Sequence, residues 1–161
     1  MLPEILDGSL FGTDQKCFGC SVNHPHGMHL KYERTASGVL TRMTPNDLQQ
    51  GPPGIMHGGL VTVLADETAA WAIIASTGKF GFTTAMEAKF RQPVKVNHET
   101  VAEAKVTTTS SRIMRTEVTI SQAEKVCFEG LFTFAILDAS TAEKLTGITL
   151  PEEWRRFTRR G

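Results

Sequence analysis

Several features are scarce in this sequence, and each scarcity excludes a class of protein. Its 17 basic and 17 acidic residues leave no net charge at pH 7, so no global excess of positive charge points to nucleic acid or an anionic membrane as a partner. Near-neutral charge leaves little repulsion between copies and therefore tolerates self-association. No internal repeat or low-complexity linker is present, and 161 residues with 40% apolar content predict a single domain that buries a real core.

Cysteine is scarce as well. The chain has three cysteines, an odd number, and only Cys17 and Cys20 are close in sequence, which favours a cytoplasmic protein with reduced thiols. The first ten residues lack a basic leader followed by an apolar block, so we expect no secretory signal. The longest apolar run, residues 60–75, is interrupted by Asp66 and Glu67, and we expect it to fall short of a membrane span.

Alternating apolar and polar residues predict strands on both sides of one long helical segment. Segments 28–34 and 38–44, with a small turn between them, predict a hairpin. The two short links after residues 109 and 122 favour adjacent antiparallel pairing of the strands that they join. The four later strands are expected at roughly 82–91, 100–109, 113–122 and 125–137.

The helical segment runs from Gly58 to about Ser76, and Gly78 is expected to end it. It is apolar on nearly every side, so the rest of the protein should wrap around it. One helix cannot cover both faces of a flat six-stranded sheet. We therefore predict an α+β fold in which a curved antiparallel sheet wraps around one central helix and leaves edges for a partner subunit. The tail after residue 150 predicts a short helix with a frayed basic end.

Three segments carry a resemblance to a known family: "CFGCSVNHPHGMHL" (17–30), "GPPGIMHGGLVTVLADE" (51–67) and "TTAMEAKFRQPV" (83–94). They are similar to the PaaI-like group of hot-dog fold thioesterases, which hydrolyse acyl-coenzyme A thioesters, and the similarity extends from Cys17 to Leu137. The resemblance implies a hot-dog domain over residues 28–140, an N-terminal extension over 1–27 and a C-terminal tail over 141–161. It also implies a homodimer or a dimer of dimers without a cofactor.

Thioester chemistry gives the second of these segments a physical meaning. A thioester carbonyl under attack develops an oxyanion, and the first turn of a helix offers unpaired N–H groups with partial positive charge. Gly58 and Gly59 remove side-chain bulk there, so that a carbonyl oxygen could approach. Asp66 lies eight residues further along, about 12 Å by helical rise. That separation is too great for both groups to serve one carbonyl within a single subunit.

The resemblance implies that two subunits resolve this separation. The N–H of Gly58 polarises the carbonyl, and Asp66 from the other subunit activates water or attacks directly. By position in the family pattern, Gln50 and Thr84 orient substrate or water, although Gln49 competes for the role of Gln50.

Other residues have two interpretations each. His57 is a general base or a cap for the helix, and Glu67 is a structural hydrogen-bonding group or the second half of the site. Trp71 and Met56 are core residues or walls of an acyl pocket. The candidate substrate-binding residues are Gly59, Glu67, Trp71, Met86 and Arg91, with Leu64 as a further wall and Lys89, Arg112 and Arg115 as further candidates for phosphate contact.

Cys17 and Cys20, followed by His24 and His26, resemble metal-ligand spacing and raise zinc as an alternative. Pro25 lies between the histidines, and the family opening recurs without metal, so we expect no metal. The alternatives to a thioesterase are a hot-dog dehydratase or hydratase and a non-catalytic module that binds acyl-coenzyme A or lipid. The acyl chain, the choice between dimer and tetramer, and the choice between direct attack and general-base hydrolysis stay open.

Overall fold

Helix α1 (Gly58–Thr77) is the centre of the fold in this computed structural model, which describes residue 2 and residues 4–160. Met1 and Pro3 of the expected extension and Gly161 of the expected tail lie outside the described residues. Short 3-10 helices cover Gly8–Phe11 and Asp47–Gln49. The remaining elements are strands β1 (Ile5–Leu6), β2 (Tyr32–Arg34), β3 (Gly38–Met43), β4 (Phe82–Phe90), β5 (Thr100–Thr109), β6 (Ile113–Gln122) and β7 (Lys125–Ala135), and helices α2 (Ala139–Thr146) and α3 (Glu152–Arg155).

The strands form one antiparallel sheet in the order β1-β2-β3-β5-β6-β7-β4. This confirms the predicted α+β architecture, the predicted hairpin of β2 and β3, and the adjacency of β5, β6 and β7. Ala123 and Glu124 both have positive φ in the link between β6 and β7, as a tight hairpin turn requires. The sequence pattern predicted six strands. The seventh, β1, is only two residues long and therefore has no periodicity to read.

Helix α1 is packed against the inner face of the sheet, chiefly on β5, β6 and β3. Both of its apolar stripes are buried: Leu64 and Trp71 on one side, and Ala65 and Ala69 on the other, are at most 1% exposed. Each large apolar side chain buried in this way stabilises the fold by about 1.5–3 kcal/mol. Gly78 ends the helix in the left-handed conformation, as predicted.

By length and composition alone, α1 could cross a membrane, because its 20 residues are apolar enough over a sufficient stretch. We expected Asp66 and Glu67 to make this helix too polar to span a membrane, and by composition that expectation is wrong. The fold gives the helix another place, since 56% of its most apolar stretch is buried inside the structure. It is the core helix of this domain.

The C-terminal segment is docked rather than frayed, which corrects the expectation for the tail. Phe157 is 4% exposed and packs on Phe11, and Thr158 is fully buried. Arg159 forms an ion pair with Asp138, 2.7 Å between Nη2 and Oδ2. The sequence suggested that these basic residues are solvated because their partners lie far away along the chain. Arg156, for example, donates a hydrogen bond to the carbonyl of Leu10, 146 positions earlier.

Candidate active site

The start of α1 leaves one backbone donor without a partner. The side chain of His57 caps the helix, because its Nδ1 accepts a hydrogen bond from Gly59 N at 3.0 Å. The carbonyl of His57 accepts from the N–H groups of Leu60 and Val61. Gly58 N donates to no other residue in the described part of the chain. Gly58 is therefore the free donor of the first turn.

The loop before α1 is held by its own hydrogen bonds. Gln50 Oε1 accepts from Gly54 N at 2.8 Å, which closes the Gly-Pro turn. Gln49 plays a different part, because its Oε1 accepts from Asn46 N at 2.9 Å and caps the 3-10 helix. Both glutamine side chains thus hold the backbone of this loop in place. Gln50 holds the Gly-Pro turn that precedes Gly58, whereas Gln49 holds the 3-10 helix before it.

A cavity of about 340 Å³ opens beside Gly58. The ring of Phe90 stands over it, 3.6 Å from the position that a Cβ atom on Gly58 would take. Arg91 also lines the cavity, and its guanidinium forms an ion pair with Glu129 at 2.7 Å, with both side chains about half exposed. The other lining residues are Pro52, Ile55, Met56, Val61, Gln92, Pro93 and Val94.

A larger concavity of about 420 Å³ lies on strands β4, β6 and β7. Charged side chains line much of it, including Glu87, Lys89, Glu117 and Glu129. It borders neither Gly58 nor Asp66, so it includes neither the free N–H donor of α1 nor the carboxylate of Asp66. We therefore place the candidate site at the smaller cavity.

Asp66 is half-buried on α1 and is held from the neighbouring edge strand. Thr83 Oγ1 donates a hydrogen bond to Asp66 Oδ1 at 2.6 Å. Burial raises the pKa of the Asp66 carboxyl, and the hydrogen bond from Thr83 partly opposes that rise. No Lys or Arg among the described residues forms an ion pair with it. A purely structural role for Asp66, as a helix carboxylate in a salt bridge, therefore has no partner among the described residues.

Thr83 is the residue that contacts Asp66, next to Thr84, which the family pattern assigns to orienting substrate or water. Thr84 Oγ1 donates to the Thr133 carbonyl at 3.1 Å and so serves the sheet. A bulge between Thr83 and Ala85 shifts the register at this point, which changes where adjacent side chains point. Nothing in the local sequence reveals a bulge, so the two threonines could not be distinguished beforehand.

The remaining candidates fall into three places. Trp71 is 1% exposed and stacks on Tyr32 with ring centroids 5.4 Å apart, inside the core. Met86 is half exposed on β4. Glu67 faces the N-terminal segment, where its Oε1 lies 2.9 Å from Cys17 Sγ. The structure therefore joins neither Glu67 nor Trp71 to the cavity beside Gly58.

Comparison with known sequences and structures relates the domain to a known family. Residues 53–128 match the sequence profile of the family described as "Thioesterase superfamily". The chain has the hot-dog fold, and residues 53–128 are similar to the thioesterase superfamily. The profile begins in the Gly-Pro loop and ends in β7, so it includes both Gly58 and Asp66. No curated protein matches the chain.

Solved structures of thioesterase superfamily proteins share this hot-dog fold. One, titled a thioesterase superfamily protein, superposes with a TM-score of 0.68 at 20% identity, covering 84% of this chain and 68% of that one. Zebra fish thioesterase superfamily member 2 gives a TM-score of 0.64 at 20% identity, over 71% and 88%. A hypothetical thioesterase from Streptococcus pneumoniae, solved with coenzyme A, gives 0.61 at 18% identity, over 66% and 86%. At these identities the likeness shows the fold.

Proposed function

We propose that this protein is a cytoplasmic, PaaI-like thioesterase that hydrolyses an acyl- or aryl-coenzyme A thioester at a composite site between two subunits. The observation that carries the proposal is the position of β4 relative to α1. One end of this strand contacts the carboxylate through Thr83, and the other end places the ring of Phe90 beside Gly58. The two halves of a hydrolytic site thus lie at opposite ends of one edge strand.

Strand β4 is a suitable surface for pairing with a second copy. It pairs only with β7 among the described strands, and most of its residues are exposed. Met86 and Phe90 on it are 49% and 56% exposed. A nine-residue exposed edge with apolar side chains invites another strand. We infer a homodimer, or a dimer of dimers, that joins two copies of β4.

Two-fold symmetry then completes the site. If two copies of β4 pair antiparallel about a two-fold axis near Met86 and Glu87, Thr83 of one copy lies opposite the partner's Phe90. Asp66 of one subunit thereby approaches the partner's Gly58, and the reverse pair forms a second, identical site. This arrangement removes the separation of about 12 Å that keeps Asp66 from Gly58 within one chain.

The proposed reaction divides between the two subunits. The N–H of Gly58 stabilises the negative charge that develops on the thioester oxygen. Asp66 takes a proton from water, or attacks the carbonyl carbon itself, and a carboxylate with a raised pKa is better suited to accept that proton. The new bond joins an oxygen of water or of Asp66 to the carbonyl carbon, the carbon–sulfur bond breaks, and the thiolate of coenzyme A leaves and takes up a proton. Where Asp66 attacks, water then cleaves the acyl anhydride, which releases the acid and regenerates the carboxylate.

Two observations support coenzyme A as the thiol. Arg91, which lines the cavity beside Gly58, is about half exposed and carries a guanidinium suited to phosphate. The Streptococcus pneumoniae protein of similar fold was solved with coenzyme A. We propose that Arg91 contacts a phosphate of coenzyme A, which would compete with Glu129 for the guanidinium.

The direct test is a panel of short-chain, long-chain and aromatic acyl-coenzyme A esters, with free thiol release as the readout. We expect turnover of at least one class, and a loss of about 10²- to 10⁴-fold in kcat for Asp66→Asn. Binding of the esters without thiol release would favour the non-catalytic module. Hydration of an enoyl ester without thiol release would favour the hydratase.

A mixing experiment tests the shared site separately. Asp66→Asn and Gly58→Pro, each inactive alone, are co-expressed with different tags and purified as mixed dimers. Each mixed dimer contains one intact site of two, so the purified mixed dimers should show about half the activity of the parent protein. If mixed dimers form but stay inactive, Asp66 and Gly58 do not act across the interface.

A further inference from the structure

The N-terminal segment brings two cysteines to Glu67 on the central helix. Cys17 Sγ, Cys20 Sγ and a carboxylate oxygen of Glu67 all lie within 4.8 Å of one another. Cys17 Sγ donates a hydrogen bond to Glu67 Oε1 at 2.9 Å. Cys20 is 4% exposed, and Cys17 and Glu67 are partly buried. The proposed hydrolysis uses none of these three residues.

The loop that carries the cysteines is fixed in place on both sides. Its carbonyls at Phe18 and Gly19 accept hydrogen bonds from Met28 N and Leu30 N, each at 2.9 Å. Gly8 N donates to the Cys20 carbonyl at 3.1 Å. A Cβ atom on Gly19 would lie 2.2 Å from Cγ of Glu67, so only glycine permits this close approach. The three ligand atoms are therefore held together by the fold.

A buried hydroxyl, that of Tyr32, lies near enough to the same cluster for its charges to act on it. Tyr32 is fully buried, and its Oη makes no hydrogen bond to any residue that the structure describes. The neighbouring Thr68 hydroxyl donates instead to the Leu64 carbonyl at 2.6 Å. Burial raises the pKa of Tyr32, and negative charge on Glu67 and Cys20 raises it further. A buried polar atom without a partner costs about 1–3 kcal/mol, so it calls for a ligand.

The acidic groups of the cluster also lack a positive partner. No ion pair to Glu67 occurs among the described residues. A bound cation would compensate the charge of all three groups.

We propose that Cys17, Cys20 and Glu67 bind a divalent cation of the zinc class, with the Tyr32 hydroxyl in the surrounding shell. Two thiolates and a carboxylate are ligand types that Zn²⁺ prefers, and its tetrahedral site requires ligand atoms at about this mutual distance. The cation ties the loop at 17–20 to α1, one residue from Asp66. The inference is independent of the proposed hydrolysis.

The geometry changes the ligand set that the sequence spacing suggested. His24 Nδ1 accepts a hydrogen bond from His26 N at 3.1 Å, and the ring of His24 packs on Phe18. Neither histidine joins the two cysteines in the described cluster. Glu67, 50 residues from Cys17, takes the place that His24 or His26 was considered for.

The test uses the full-length protein, reduced and stripped with a chelator, then titrated with Zn²⁺ against a chromophoric competitor. We expect one equivalent per chain and, with Co²⁺, a sulfur-to-cobalt charge-transfer band. Cys17→Ser and Glu67→Gln should each abolish stoichiometric binding. Cys127→Ser, at a buried cysteine outside the cluster, should bind like the parent protein. Tyr32→Phe should weaken binding by about 10- to 100-fold.

Three outcomes would overturn the proposal, and the first needs no variant to fold. The parent protein binds no Zn²⁺ at stoichiometric concentration. Cys127→Ser loses as much zinc as Cys17→Ser, which indicates general unfolding or surface binding. The protein purified without reductant is two hydrogen masses lighter because Cys17 and Cys20 form a disulfide, and the reduced protein binds no metal. The last result would make the pair a redox site instead.

Discussion

Thr83 Oγ1 and Asp66 Oδ1 are joined by a 2.6 Å hydrogen bond between the edge strand β4 and the central helix. The contact fixes the orientation of a carboxylate that α1 would otherwise present without a partner. We regard Thr83 as a positioning residue for Asp66.

Thr83→Val should lower kcat about tenfold or more with little change in KM, because a hydrogen bond to a charged group contributes about 1.5–3 kcal/mol. Steady-state kinetics on the best ester of the panel measure both constants. Thr83→Ser keeps the hydroxyl and should restore kcat. Thr84→Val is the matched comparator, since Thr84 contacts a sheet carbonyl. If Thr83→Val and Thr84→Val lower kcat equally, Thr83 has no specific role in positioning Asp66.

Gly58→Pro should lower kcat by about 10²- to 10³-fold, the cost of losing one oxyanion donor. Proline suits the first position of a helix, and His57 at ψ 129° has the extended backbone that precedes proline. The substitution therefore removes the free N–H without breaking an internal hydrogen bond. Gly58→Ala keeps the N–H and meets Phe90 at an ordinary 3.6 Å, so it should retain most activity. A fully active Gly58→Pro protein would show that this donor is dispensable.

Met86→Asp should convert the protein to monomers, because the substitution places a charge from each subunit at the proposed pairing of two β4 strands. Analytical ultracentrifugation measures the oligomeric state. Leu48→Asp is the control, since Leu48 is 96% exposed and lies outside β4. If Met86→Asp and the parent protein have the same mass in solution, β4 is not the interface.

Trp71→Ala should reduce the free energy of unfolding by about 3–5 kcal/mol, as expected for a large side chain removed from a packed core. Urea denaturation at fixed protein concentration measures the change. Leu145→Ala, at a leucine 67% exposed on α2, should change it by less than about 0.5 kcal/mol. A stable Trp71→Ala protein with altered acyl preference would instead support the acyl-pocket interpretation.

The Asp138–Arg159 pair should make docking of the C-terminal segment depend on pH. Hydrogen bonds from Thr141 and from Arg159 hold the pKa of Asp138 well below its usual range. The ionised group therefore stabilises the fold above the ordinary carboxyl pKa, and this contribution is lost as the pH falls through the lowered value. Asp138→Asn should lower the melting temperature at pH 7 and lose its effect at strongly acidic pH. An equal effect of the substitution at both pH values would contradict this assignment.

Much of the architecture follows from local sequence patterns. The bounds of β5 and β6, the start of α1 and its end before Gly78 agree with the predicted elements. Strand and helix periodicities can be read from residues that are close in sequence. Glycine ends a helix because its own backbone readily adopts the left-handed conformation. The cap formed by His57 is local for the same reason, since its partner is only two residues away.

The site residues were harder to choose, because their partners lie far along the chain. The choice of Thr83 over Thr84 depends on a bulge against β7, and burial of the tail depends on Asp138 and on an aromatic ring at Phe11. The partner of the two cysteines was sought among nearby histidines, while the carboxylate of Glu67 arrives from α1.

The order of adjacent side chains was enough to specify the central helix, the antiparallel strands and the family motif. Two features instead required the folded chain: the hydroxyl that holds Asp66 and the groups that surround Cys17 and Cys20. These features depend on contacts between segments that are far apart in sequence. Local sequence patterns do not show which of those segments pack together or how far apart their side chains lie.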